Sequence, residues 1–156
     1  MKGRVSLILA AFVVAGMASV WLSPVAIASP PTSVTITETI DFTTDPTTAT
    51  FTASAPLCPA GSFVDTVEAV GGGNGRGPLN LVISSVYTCA DDSGTFMLLK
   101  HITIRSTGPD AATATGTFVV VGGTGAYANL HGQGTDNGTI VNGHGIGNLA
   151  GTVHFD

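Results

Sequence analysis

From residue 34 to 42 the chain alternates without a break. Val34, Ile36, Ile40 and Phe42 fall on one face, and Thr35, Thr37, Thr39 and Asp41 on the other. Strict period-2 alternation marks a strand with one covered face. Asp45-Pro46 supplies a turn, after which Ala49, Phe51 and Ala53 alternate with Thr48, Thr50 and Thr52 as a second strand. Strand formers predict further strands over 63–70, 79–89, 95–105 and 112–121. The breaks between them include the glycine run 71–77 and the turn residues Asp91-Asp92-Ser93-Gly94. Two weaker strands fit 133–141 and 148–155. No amphipathic helical period appears after residue 30. Eight short strands without a helix predict an antiparallel sandwich or barrel. Closing eight strands into a barrel removes exposed edges and leaves an interior that holds side chains or one small ligand.

The stretch 122–134 organises the second half. It carries five glycines in thirteen residues, at Gly122, Gly123, Gly125, Gly132 and Gly134. Interior glycines cost a helix roughly 1 kcal/mol each, so the stretch predicts a sharp corner, with Tyr127 and Leu130 as its apolar anchors. Gly123-x-Gly125-x-x-Ala128 after an apolar strand also fits the dinucleotide fingerprint. That motif requires a helix at its last glycine and an acid about 20 residues on. Glycines 132, 134 and 138 follow instead, so nucleotide binding is disfavoured.

Composition changes the picture at the N-terminus. Lys2 and Arg4 precede an apolar run over 5–20, and Ala26-Ile27-Ala28 forms an A-x-A cleavage site before Ser29-Pro30-Pro31. This reads as a signal peptide over 1–28, a short polar segment over 29–33 and a single barrel domain over 34–156. An uncleaved anchor is the competing reading, but the run is marginal for a membrane span and Pro24 interrupts its end. Cleavage predicts a secreted, extracellular protein with no stable membrane insertion. The remaining 128 residues hold ten acids against Arg76, Lys100 and Arg105, so the formal charge is 3 − 10 = −7. Such a surface repels phosphate backbones and argues against a nucleic-acid partner.

Cys58 and Cys89 are the two cysteines. In an oxidising compartment a disulfide is the default, and no Cys/His arrangement supports a nucleophilic thiol. If strands three and four form a hairpin, its geometry also brings Cys58 near Cys89.

Gly94-Thr95-Phe96, Gly116-Thr117-Phe118-Val119-Val120, the run 122–128 and Gly132-x-Gly134-Thr135 resemble the allene oxide cyclase/dirigent-like barrel superfamily. The closest likeness is to small secreted actinobacterial members without an assigned activity. The resemblance covers residues 34–156 and implies an all-β, eight-stranded antiparallel β-barrel with a central cavity. Plant relatives include a cofactor-free cyclase of fatty-acid epoxides and proteins that orient phenoxy radicals. No residue here matches the catalytic positions of either, so activity does not transfer with the fold.

Two charges stand out on apolar faces. Glu38 shares its face with Val34, Ile36, Ile40 and Phe42. Lys100 shares its face with Phe96, Leu98, Ile102 and Ile104. Buried charges must pair, shift their pKa or sit in a wet cavity. The plain alternatives are a β-bulge that flips the pattern or an apolar row that faces outward. The functional reading makes those eight apolar residues cavity-lining and Glu38 and Lys100 the catalytic or ligand-steering candidates.

His101, His131, His144 and His154 show no ligand spacing, so no metal is expected. A single degenerate calcium-type nonapeptide over 132–138 carries little weight. Asn137-Gly138-Thr139 reads as a sequon or as a hairpin turn. No nucleophile elbow occurs.

The sequence therefore supports a secreted barrel, without a cofactor, that binds a small apolar ligand or a surface partner. A cofactor-free isomerase, cyclase or stereo-directing protein is the first alternative, and a packed structural envelope protein the second. Oligomeric state is left open.

Overall fold

The structure, a computed structural model, describes residues 29–72 and 77–156. The expected signal peptide over 1–28 lies outside them. Eight strands follow in order: β1 (Thr32–Asp41), β2 (Thr48–Ala53), β3 (Ala60–Gly72), β4 (Leu79–Cys89), β5 (Gly94–Gly108), β6 (Ala111–Gly125), β7 (Leu130–Val141) and β8 (His144–Phe155). Each pairs antiparallel with the next, and β1 pairs with β8 to close the barrel. The described residues contain no helix. Of the sandwich or barrel that the strand pattern predicts, this is the barrel, with the eight antiparallel strands that the resemblance implies.

Several strands run longer than their apolar signal. β7 and β8 begin at Leu130 and His144, ahead of the expected 133 and 148. The glycine corner contracts accordingly. Gly122, Gly123 and Gly125 belong to the end of β6, and only residues 126–129 turn. Gly125 has φ +60°. A Cβ on Gly123 would lie 2.4 Å from the Tyr127 carbonyl oxygen, so the turn can fold back only over a glycine. Tyr127 is buried at this end. Asn137-Gly138-Thr139 lies inside β7 rather than in a turn. The β7–β8 hairpin turns instead at Asn142 (φ +50°) and Gly143 (φ +79°), the left-handed pair of a tight hairpin.

The interior divides into two halves. At the end closed by residues 54–59, 90–93 and 126–129, aromatic side chains fill the barrel. Tyr87 stacks on Phe96 and Phe63 with ring centroids 4.7 Å and 5.1 Å apart, and Phe51 meets Tyr87 edge-on at 5.2 Å. Val34, Ile36, Leu98, Leu130, Leu149 and Val153 join this core. The Cys58–Cys89 disulfide ties the β2–β3 connection to the end of β4, with Cα atoms 5.9 Å apart. Its partners meet because Gly61 of β3 pairs with Cys89 of β4, as the hairpin geometry requires.

Candidate functional site

Above the aromatic core, the inward positions turn polar. Glu38 sits mid-β1 between the register partners Phe51 of β2 and Gly147 of β8. Gly147 makes room for it: a Cβ there would lie 2.8 Å from Glu38 Oε2. Lys100 of β5 lies between Ile83 and Phe118, and its Nζ is 2.9 Å from Glu38 Oε1. The Tyr87 hydroxyl donates to the same oxygen, and Lys100 Nζ lies 3.5 Å from the Tyr87 hydroxyl oxygen. Asp65 of β3 lies 3.6 Å from Lys100 Nζ and accepts a hydrogen bond from Ser85, its partner on β4. Asp136 of β7 completes the ring. It is only 6% exposed and, among the described residues, its carboxylate makes no hydrogen bond or ion pair.

No bulge intervenes along β1, and the β5–β6 bulge at Met97/Leu98 leaves Lys100 facing inward. Glu38 and Lys100 are therefore buried, at 3% and 2% exposure, and paired.

The ring's electrostatics follow from burial and crowding. Burial is the largest influence on the Tyr87 hydroxyl, and with the Glu38 charge it raises the pKa well above 10.0, so Tyr87 stays a neutral donor. Burial alone would lower the Lys100 pKa, but attraction to Glu38 and Asp65 outweighs it and the net shift is upward. Lys100 is a fixed cation and cannot act as a base near neutrality. Burial, then repulsion from Glu38, raises Asp136 to about 6, partly countered by Lys100. Asp136 is thus the ring's titratable member near neutral pH.

Between this ring and the opposite end lies a cavity of about 410 Å³. Its upper wall is apolar, with Ile40, Leu81, Ile83, Ile102, Ile104 and Ile140, and its floor is Glu38, Asp65, Lys100 and Asp136. The cavity exists because inward positions at this level are small. Gly138, Gly145, Gly147, Ala49 and Ala114 line it where the other half has rings. Its size falls within the roughly 300–1,000 Å³ of small-molecule sites.

The eight cavity-lining candidates divide between the halves. Ile40, Phe42, Ile102 and Ile104 line the cavity, with Phe42 at the mouth and 48% exposed. Val34, Ile36, Phe96 and Leu98 point inward too, but belong to the packed core and do not line the cavity. They lie toward the end filled by Phe51, Tyr87 and Tyr127, where ring volume leaves no gap.

The histidines lie away from the cavity. His131 and His154 are cross-strand partners whose rings stack at 5.4 Å beside the Asp156 carboxylate. His144 Nδ1 lies 3.5 Å from Asp41 Oδ1. No group arranged to hold a metal ion occurs among the described residues.

Sequence reasoning missed Tyr87, Asp65, Ser85 and Asp136 as site residues. Phe63, Asp65 and Val67 alternate along β3, and Leu81, Ile83, Ser85 and Tyr87 along β4, so that signal was present for the first three.

No protein-family model matches the chain, and neither does any curated protein or solved structure. The functional reading therefore rests on the site itself.

Proposed function

We propose that this is an exported barrel that binds a small, largely apolar molecule in the open half of its interior without turning it over. The observation that carries this reading is the cavity: an apolar wall over a floor of four ionisable side chains, of which Glu38, Lys100 and Asp136 are buried. An apolar lining with a few convergent polar groups is the usual composition of a ligand site. A solid structural barrel would have no reason to leave unpaired carboxylate oxygens open to an interior space. Export is supported by the N-terminal sequence pattern and is consistent with the disulfide. Kinship with the allene oxide cyclase/dirigent-like barrels is supported by the glycine-rich turn and the barrel topology, and is part of the proposal.

Catalysis by Glu38 and Lys100 as acid and base is the weaker reading. The two groups satisfy each other at 2.9 Å, and Lys100 is held protonated. One observation favours an isomerase: Asp136, at about 6, is poised as a general base near neutral pH.

Ala114→Phe tests the binding reading. Ala114 lines the cavity from β6, so a ring there occupies its volume. Native mass spectrometry of the secreted protein should find a co-purifying small molecule that the variant lacks, with circular dichroism unchanged. Equal ligand content in both proteins would place binding elsewhere. A bare protein that takes up no apolar probe would end the reading.

A further inference from the structure

The hydrogen-bonding capacity of the cavity floor is one-sided. Lys100 has three N–H donors, and three acceptors surround it: Glu38 Oε1 at 2.9 Å, the Tyr87 hydroxyl oxygen at 3.5 Å and Asp65 Oδ1 at 3.6 Å. The Tyr87 proton is committed to Glu38 and the Ser85 proton to Asp65. The acceptors are in surplus. Asp136 has no partner among the described residues. Glu38 Oε2 likewise receives neither of the two hydrogen bonds made to that carboxylate, both of which go to Oε1. Among the described residues no fully buried side-chain oxygen is left without a partner, so these atoms open onto the cavity. With Asp136 ionised, three carboxylates face one ammonium, a formal 1 − 3 = −2.

We infer that the cavity takes an apolar molecule whose inner end carries a primary ammonium or a similar hydrogen-bond-donating cation, and that it rejects a carboxylate. This rests on the reading of the cavity as a ligand site. An ammonium set between Asp136 and Glu38 Oε2 supplies the missing donors and neutralises part of the excess charge, as a buried ion must be compensated. A carboxylate in the same place would compete with Glu38 and Asp65 for the one ammonium and would meet like charge. The aliphatic wall then covers the apolar body of the ligand. Recognition is pH-dependent, because Asp136 loses its charge on protonation. The groups facing it are Glu38 from β1, Asp65 from β3, Tyr87 from β4 and Lys100 from β5. The neighbouring strands contribute Gly116 and Phe118 from β6 and Gly147 and Leu149 from β8.

The test titrates the full chain with n-octylamine, octan-1-ol and octanoate by calorimetry at pH 7.5, each below its micelle concentration. The amine should bind at least about tenfold more tightly than the alcohol, a difference of roughly 1.4 kcal/mol, and octanoate more weakly than both. Asp136→Asn should lose most of the preference for the amine over the alcohol. At pH 5 the parent's preference should also shrink. Octanoate binding as tightly as the amine, or the amine binding no better than the alcohol, would overturn the head-group assignment and leave the cavity a ligand site. A preference undiminished in Asp136→Asn would overturn the assignment of Asp136. Failure of all three probes to bind would overturn the ligand-site reading and this inference with it.

Discussion

Replacing Glu38 and Lys100 singly and together asks whether the buried ring is a balanced charge network. The two side chains are 3% and 2% exposed and 2.9 Å apart. Removing one member of such a pair leaves the other charge without compensation, which typically costs about 3–5 kcal/mol. The geometry makes the two losses unequal. Glu38→Gln leaves Lys100 beside Asp65 at 3.6 Å, with Asp136 still in the ring. The ammonium keeps a counter-charge, Tyr87 can donate to the new amide oxygen, and the loss should be only about 1–3 kcal/mol. Lys100→Met removes the cation that Glu38, Asp65 and Asp136 share, so its loss should reach the full ~3–5 kcal/mol. The double variant removes the opposite charges together and should lose less than the sum, with a coupling of about 2 kcal/mol. Urea unfolding at pH 7.5, read at constant m-value, gives all four stabilities. Losses additive within ~0.5 kcal/mol would show that the groups do not interact. A larger loss from Glu38→Gln than from Lys100→Met would refute the charge-balance argument even if coupling were found.

Two further outcomes are expected. Cys58→Ser should lower stability by roughly 2–4 kcal/mol, because the bridge spans a sequence separation of 31; labelling of two thiols in the unreduced parent would refute the bridge. Asp136→Asn should change the pH dependence. The folded protein keeps the Asp136 proton up to about pH 6, whereas the unfolded chain releases it near 3.8. The native state therefore binds the extra proton in that window, and stability falls as pH rises through it. Removing the ionisable group should raise stability by about 1–3 kcal/mol at pH 8 and by nothing near pH 3.5. A gain that does not vary with pH would show that Asp136 titrates normally.

The strands legible in the sequence are those whose inward positions are large and apolar. In β1, Val34, Ile36 and Ile40 announce the inner face, so Glu38 is conspicuous among them. β7 gives no such signal. Between Leu130 and Ile140 its inner face reads Gly132, Gly134, Asp136 and Gly138, and glycine marks neither face. These glycines are forced by neighbours: a Cβ would lie 2.6 Å from the Phe118 ring at Gly134, 2.8 Å from the Val153 side chain at Gly132 and 2.8 Å from the Ile146 carbonyl oxygen at Gly138, so β6 and β8 together empty the inner face of β7. The cause of the silence lies on the neighbouring strands, and only the register reveals it. The β7–β8 turn is a different case, since Asn142-Gly143 is a strong hairpin signal inside a glycine-rich run that hides it.

Whether the barrel is solid or hollow depends on the same register. Large and small inward residues are spread over several strands. A cavity forms only if the small ones of different strands lie at one level. Ala49 of β2, Ala114 of β6, Gly138 of β7 and Gly145 and Gly147 of β8 do so. Phe51, Phe63, Tyr87, Phe96 and Tyr127 gather toward the other end. The pairings Glu38 with Gly147, Gly138 with Gly147 and Ala114 with Gly138 bring the small residues together around the carboxylate. One strand's alternation shows that Glu38 points inward. The space beside it is a property of four strands together. The rigid aromatic half then serves the open half: Tyr87 stacks between Phe63 and Phe96, which fixes its hydroxyl against Glu38. The polar floor is thereby held in place by the part of the barrel that has no room for a ligand.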